Sequence, residues 1–126
     1  MPKLLIVDDE SDVREFAANF FRKRKIEVTT AATGEEALLL IEAQKPHLVL
    51  LDIKMPGIDG IETLRRIKCL DGGLKVVMVT GKKPEEEDCL AMCQQLGAIG
   101  YIHKPLELDD LEQLVMSTLK QAALKE

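Results

Sequence analysis

The sequence contains no run approaching the roughly 18 consecutive apolar residues of a membrane span, and its N-terminus lacks the charged-then-apolar build of a secretory signal. A cytoplasmic location is expected. An excess of positive charge is also missing. Seventeen Lys and Arg stand against 22 Asp and Glu, a net charge of -5, which argues against generic binding to nucleic acid or an anionic membrane surface. The one short basic run, Arg22 to Lys25, reads as a solvated helix end. There is no tryptophan, so the 46% of residues that are hydrophobic must build one core of moderate size. No internal repeat, low-complexity segment or linker divides the chain, and residues 1–126 are expected to form one domain. Cysteine is scarce. Cys69, Cys89 and Cys93 are too few and too late in the chain for a disulfide framework, which fits a reducing compartment. Cys89, Met92, Cys93 and Leu96 make an i, i+3, i+4, i+7 stripe, so the two nearer thiols read as small core residues. A closed zinc site would want about four ligands.

What the sequence does contain is alternation. Aliphatic runs at Leu4–Val7, Ile26–Ala31, Leu48–Leu51, Val76–Val79 and Ile99–Ile102 are each followed by turn residues and then by helical periodicity. Val13, Phe16, Ala17, Phe20 and Phe21 form the inward stripe of a first helix that Ser11 is placed to cap. Thr33 with Glu36, and Asp59 with Glu62, have capping-box spacing at the starts of the second and third helices. Pro84 suits the first turn of the fourth, and Leu111, Leu114, Val115 and Thr118 stripe the fifth. Continuous rather than alternating aliphatic strands imply a parallel sheet covered by helices on both faces, an α/β architecture.

In an open parallel sheet, ligands bind beyond the carboxyl ends of the strands. Four of the runs end there in polar residues: Asp8 and Asp9 after the first, Asp52 after the third, Thr80 after the fourth, and Lys104-Pro105 after the fifth. Three carboxylates in one cleft repel unless a cation lies among them, and hard oxygen ligands with a few waters suit Mg²⁺. A nearby lysine and a hydroxyl supply the positive charge and the hydrogen bond that a transferred phosphoryl group needs. A lone strand-end Asp or Thr is usually a helix cap; the conjunction at four strand ends is not explained that way.

The segments "LLIVDDE", "LVLLDIKMPGIDGIE", "VVMVTG" and "GYIHKP", in that order and spacing over essentially the whole chain, resemble the receiver domain of two-component response regulators. The resemblance implies a flavodoxin-like (βα)₅ fold with a five-stranded parallel sheet of order 2-1-3-4-5, an order the chemotaxis member of this family already illustrates. It makes Asp52 the phosphoacceptor, taking a phosphoryl group from a phosphohistidine. Asp8, Asp9, Asp52 and the backbone carbonyl of Lys54 would hold Mg²⁺ or Mn²⁺. Lys104 would pair with phosphoryl oxygens, Thr80 would donate its hydroxyl to one of them, and Lys54 and Gly81 would border the phosphoryl site. Tyr101 matches the family's aromatic switch, which swings inward as Thr80 moves and so alters the face built by the fourth helix, fifth strand and fifth helix. Met55, Pro56, Gly57 and Gly60 match the loop after the acceptor, and the Lys104–Pro105 bond is cis by resemblance.

The partners implied are a sensor histidine kinase or histidine phosphotransfer protein upstream, and a downstream target or covalently linked output domain. Direct nucleic-acid binding and membrane contact by this chain are not expected. The expected role is a phosphoacceptor regulator, which assists only its own phosphorylation and dephosphorylation and is not an enzyme. Relatives that hydrolyse quickly carry an amide or acid two residues after the acceptor or after the threonine. Here those positions are Lys54 and Lys82, which points to a long-lived phosphoryl group. His47 and His103 are read as non-catalytic. An aspartyl-phosphate hydrolase would want an acid where Lys54 stands, and a flavin-binding flavodoxin would want Ser, Thr and Gly in place of Asp8, Asp9 and Glu10. A degenerate receiver acting as an unphosphorylated interaction module is the alternative, although no pocket residue is missing.

Overall fold

The aliphatic runs form strands β1 (Lys3–Val7), β2 (Glu27–Ala31), β3 (Leu48–Asp52), β4 (Lys75–Thr80) and β5 (Gly100–His103). The computed structural model describes residues 2–55, 57–81, 84–104 and 106–124. Between and after the strands lie α1 (Ser11–Arg22), α2 (Gly34–Gln44), α3 (Gly60–Leu70), α4 (Pro84–Gln95) and α5 (Leu108–Leu124). All strand pairings are parallel and the sheet order is β2-β1-β3-β4-β5, the expected flavodoxin-like arrangement. β1 and β3, at the middle, are aliphatic almost throughout because helices cover both faces, and every residue of β3 is buried.

The unbroken runs nevertheless serve two separate interiors, since successive side chains on a strand point to opposite faces. Leu5, Val7, Val49, Leu51, Val76 and Met78 pack with Ala37 and Ile41 of α2, Leu64 and Ile67 of α3 and Cys93 of α4. Leu4, Ile6, Leu48, Leu50, Val77 and Val79 pack instead with Ala17, Ala18 and Phe21 of α1 and Leu111, Val115 and Leu119 of α5. Phe21 is fully buried and is the bulkiest such side chain.

Several local expectations need correction. Phe16 is 52% exposed, and Ala18 takes the inward position beside Ala17 and Phe21. Met92 is also 52% exposed, because α4 meets the core through Leu90, Cys93 and Leu96 rather than through a stripe containing Met92. Ser11 does not cap α1. It is the first helical residue, Glu10 holds the cap position with no side-chain cap bond, and the acceptor at this turn is Asp8, whose Oδ1 takes the Glu10 amide at 2.9 Å. The caps of α2 and α3 are as expected: Thr33 accepts the Glu36 amide at 3.1 Å and Asp59 accepts the Glu62 amide at 2.9 Å. The Glu36 side chain returns to the Ala32 amide, while Glu62 turns outward to Arg65 and Arg66. Pro84 opens α4. Pro56, Lys82 and Pro105 lie outside the described residues.

Strand register sets the site. Val7 pairs with Leu51, Asp52 with Val79, and Thr80 with His103. Asp8 and Asp52 therefore follow paired residues on adjacent strands, and Lys104 follows the partner of Thr80.

Candidate functional site

Asp52 ends β3 and is 2% exposed; the amide after it, that of Ile53, donates to the Val79 carbonyl at 3.0 Å and keeps the strand end paired. Asp8 is just as deeply buried, its amide extending the β1–β2 ladder to the Ala31 carbonyl at 3.1 Å. Arg14, one turn into α1, donates to the Asp8 carbonyl at 2.8 Å and ties the helix start to the strand end. Lys104 is anchored by its own amide, which donates to the Thr80 carbonyl at 2.7 Å.

From that anchor the Lys104 ammonium reaches three carboxylates at once: Asp8 Oδ2 at 3.2 Å, Asp52 Oδ2 at 3.1 Å and Glu10 Oε1 at 3.0 Å. The other oxygen of Asp52, Oδ1, accepts the Lys54 amide at 3.4 Å. Both oxygens of the buried carboxylate are thus engaged. Oxygens of Asp8, Asp9, Glu10 and Asp52 all lie within 4.8 Å of one another, with Asp9 and Glu10 on the exposed side. Against these four carboxylates Lys104 supplies one positive charge, which leaves an excess of three negative charges.

Burial and this crowding of like charge act together on the ionisation of the cluster. Burial, and next the charge of Asp8, push Asp52 up to about 6, against the opposing pull of Lys104 and the Lys54 amide. Burial would lower the Lys104 ammonium, but the hydrogen bond it donates to Glu10 and the charges of Asp52 and Asp8 outweigh it and hold the group above its ordinary value. Lys104 is therefore a permanent cation at neutral pH. An all-oxygen donor set carrying excess negative charge, at a pocket half open to water, fits a small hard dication and offers nothing to a soft one.

The structure brings Asp8, Asp9, Asp52 and Lys104 together as the sequence led one to expect. Glu10 is the member that sequence reasoning passed over, although it closes the acidic triplet that begins at Asp8. Thr80 is fully buried at the end of β4, next to exposed Gly81. Lys54 extends into solvent, and only its amide meets Asp52. Tyr101, in β5 opposite Met78, is 44% exposed, with its ring edge-on to His103 at 5.3 Å between centroids. Between α1 and the segment after β5, Val13, Phe16 and Leu106 join Glu10, Asp12 and Lys104 around an open cavity of about 650 Å³ beside the acidic cluster.

Of the two histidines read as non-catalytic, His103 pairs with Thr80 next to the site and His47 lies far from it. His47 sits at the far end of the sheet, where its Nδ1 accepts the Lys3 amide at 3.0 Å and ties the starts of β1 and β3 together. Burial, then Cys89 and Asp59, push the Cys93 thiol up to about 11, so it remains an inert core group. No helix among the described residues is long and apolar enough to cross a membrane.

Comparison with known proteins agrees with this geometry. The family model for the response regulator receiver domain matches residues 4–116. Sporulation initiation phosphotransferase F of Bacillus subtilis (strain 168) is 37% identical over 117 residues, an alignment covering 93% of this chain and 93% of that protein. Protein-glutamate methylesterase/protein-glutamine glutaminase 2 of Rhodopseudomonas palustris (strain BisB18) is 40% identical over 129 residues, covering 98% of this chain but 35% of that longer protein. The crystal structure of a CheY-like receiver domain protein from Methanospirillum hungatei JF-1 superposes with a TM-score of 0.89 at 32% identity, covering 100% of this chain and 99% of that one. With its parallel sheet in the order 2-1-3-4-5 and its acidic cluster at the strand ends, the chain belongs to the response regulator receiver domain family of two-component signalling.

Proposed function

We propose that Asp52 accepts a phosphoryl group from a phosphohistidine on a sensor kinase or phosphotransfer protein, and that the resulting aspartyl phosphate switches the surface formed by α4, β5 and α5. The observation that carries this reading is the state of Asp52. It is a buried carboxylate raised to about 6, with one oxygen on Lys104, the other on the Lys54 amide, and an acidic cluster beside it. Such a group is more basic than an ordinary carboxylate yet mostly ionised at neutral pH, which suits a nucleophile.

In the transfer, a carboxylate oxygen of Asp52 forms the O–P bond while the P–N bond to the donor histidine breaks and returns its electron pair to the imidazole nitrogen. Lys104 leaves its carboxylate partners in part to neutralise the phosphoryl oxygens, and the Thr80 hydroxyl donates to one of them. Asp8, Asp9 and Asp52, with the Lys54 carbonyl, would hold Mg²⁺, which would supply the charge neutralisation that four clustered carboxylates need before a phosphoryl group can approach. Asp9 thereby gains a role that no fold requirement gives it, and Asp8 one beyond holding the Glu10 amide at the start of α1. As Thr80 shifts toward the phosphoryl group, Tyr101 moves from its half-exposed position into the space vacated, and the outer face changes shape. The likeness along 93% of both chains to a protein named a phosphotransferase favours passage of the phosphoryl group between proteins.

The deciding experiment is intact-mass measurement after incubation with Mg²⁺ and acetyl phosphate. Wild type is expected to gain one phosphoryl group and Asp52→Asn none. An equal gain in both would put the acceptor elsewhere, and no gain in either would favour an unphosphorylated interaction module.

A further inference from the structure

The turn that leads from Asp52 into α3 is fastened by its own backbone at both ends. The Ile53 amide donates to the Val79 carbonyl at 3.0 Å, and the Gly60 amide donates to the Ile53 carbonyl at 2.8 Å. Between these fastenings lies the Lys54 amide, whose bond to Asp52 Oδ1 at 3.4 Å is close to the longest separation at which a hydrogen bond survives. A displacement of a few tenths of an ångström in the turn would make or break it.

A side chain from another element reaches this turn. Glu35, in the first turn of α2, accepts the Ile58 amide through Oε1 at 3.1 Å. Its oxygens also stand 3.0 and 3.3 Å from the place a Cβ would occupy at Gly57, so the carboxylate lies directly against a residue whose φ of 76° favours glycine. The neighbouring Gly34 is seated equally closely: a Cβ there would come within 2.2 Å of the Thr63 hydroxyl and 2.7 Å of the Ile58 side chain. The Ile58 amide, followed by Glu35's own amide, holds the carboxyl below the usual range, so it stays an ionised acceptor.

We propose that Glu35 is a positioning residue for the phosphoacceptor: by gripping the Ile58 amide it sets the turn at the height where the Lys54 amide meets Asp52 Oδ1. The inference rests on Asp52 being the acceptor, and adds a residue on a different element that fixes how the attacking carboxylate is presented. Glu35 touches neither phosphoryl group nor metal in this scheme. It acts through Ile58 and Lys54.

The test compares wild type, Glu35→Ala and Glu35→Gln in the full chain. Phosphorylation by acetyl phosphate is followed by intact mass across a Mg²⁺ titration, and amide hydrogen exchange of Lys54 and Ile58 is followed by NMR without metal. Glu35→Ala should exchange faster at both amides, and its phosphorylation rate at saturating Mg²⁺ should fall roughly three- to tenfold, the range one solvent-exposed hydrogen bond commands. Glu35→Gln keeps an acceptor oxygen and should recover most of the rate and the protection. Unaltered rate and exchange in Glu35→Ala, or a loss that Glu35→Gln does not recover, overturns the assignment while leaving Asp52 as acceptor. Failure of wild type to gain a phosphoryl group overturns both.

Discussion

Replacing Asp52 with Asn should make the metal-free protein more stable, and by an amount that depends on pH. Asp52 is raised from 3.8 to about 6 in the fold, chiefly by burial and then by Asp8. Two pKa units at about 1.4 kcal/mol each set an upper bound near 3 kcal/mol for the penalty of ionising the buried group, and solvent at the pocket mouth reduces this to about 2 kcal/mol. The sign follows from proton counting. Between the unfolded and folded values the native state binds more protons, so the contribution of Asp52 to stability is complete below 3.8 and is lost as the pH rises through about 6. Asparagine is neutral throughout, still offers an oxygen to the Lys104 ammonium, and carries no such loss. In EDTA at about pH 8 the variant should therefore be more stable by ~2 kcal/mol, which for a chain of this size corresponds to a melting temperature roughly 6–10 °C higher. At about pH 4 the two proteins should nearly coincide. Urea unfolding at several pH values provides the measurement. A variant less stable than wild type at high pH, or a difference that does not change with pH, would refute the argument that Asp52 is ionised against the preference of its surroundings.

The same repulsion makes Mg²⁺ a stabiliser. Millimolar Mg²⁺ should raise the wild-type melting temperature, whereas Asp9→Asn should be more stable without metal and respond less to it; a wild type indifferent to Mg²⁺ would remove the basis for the metal site. Hydrogen exchange with and without beryllofluoride should differ most over residues 80–105, and changes confined to the turn after Asp52 would contradict a switch through Thr80 and Tyr101. Neither Lys54 nor Lys82 can accept a hydrogen bond from an attacking water, so the aspartyl phosphate should be long-lived. Lys54→Asn with Lys82→Glu should hasten its hydrolysis about tenfold, equivalent to ~1.4 kcal/mol, and an unchanged rate by intact mass in excess Mg²⁺ would dismiss the idea.

The fold was legible because its signals are short-range. Each aliphatic run is long enough for one strand, and the side-chain caps of α2 and α3 lie three residues from the amides that donate to them, Thr33 from Glu36 and Asp59 from Glu62. The grouping of Asp8, Asp52 and Lys104 was legible for a different reason: parallel strands end at one edge, so polar residues just beyond several aliphatic runs must gather there. What escaped were contacts between distant positions that no period encodes. Glu10 meets Lys104 across 94 residues of sequence, and Glu35 meets Ile58 across 23. Phe16 and Met92 were misplaced because residues at the border of a helical stripe are buried or exposed according to the angle at which the helix lies, which depends on its neighbours. Ser11 was misread because Asp8, three residues upstream, already holds the Glu10 amide with its own carboxylate.

The division of the interior by the sheet bears on how such a protein can diverge. α4 is packed into the interior it shares with α2 and α3, whereas α5 is packed with α1 on the opposite side of the sheet. Side chains separated by a layer of backbone share no partners, and their substitutions combine nearly additively. A lineage can therefore remodel the α4 half of this outer surface while the α5 half keeps its shape, or the reverse, without a compensating change across the sheet. New specificity at that surface can accordingly arise through a succession of single viable substitutions, each tolerated by one interior alone.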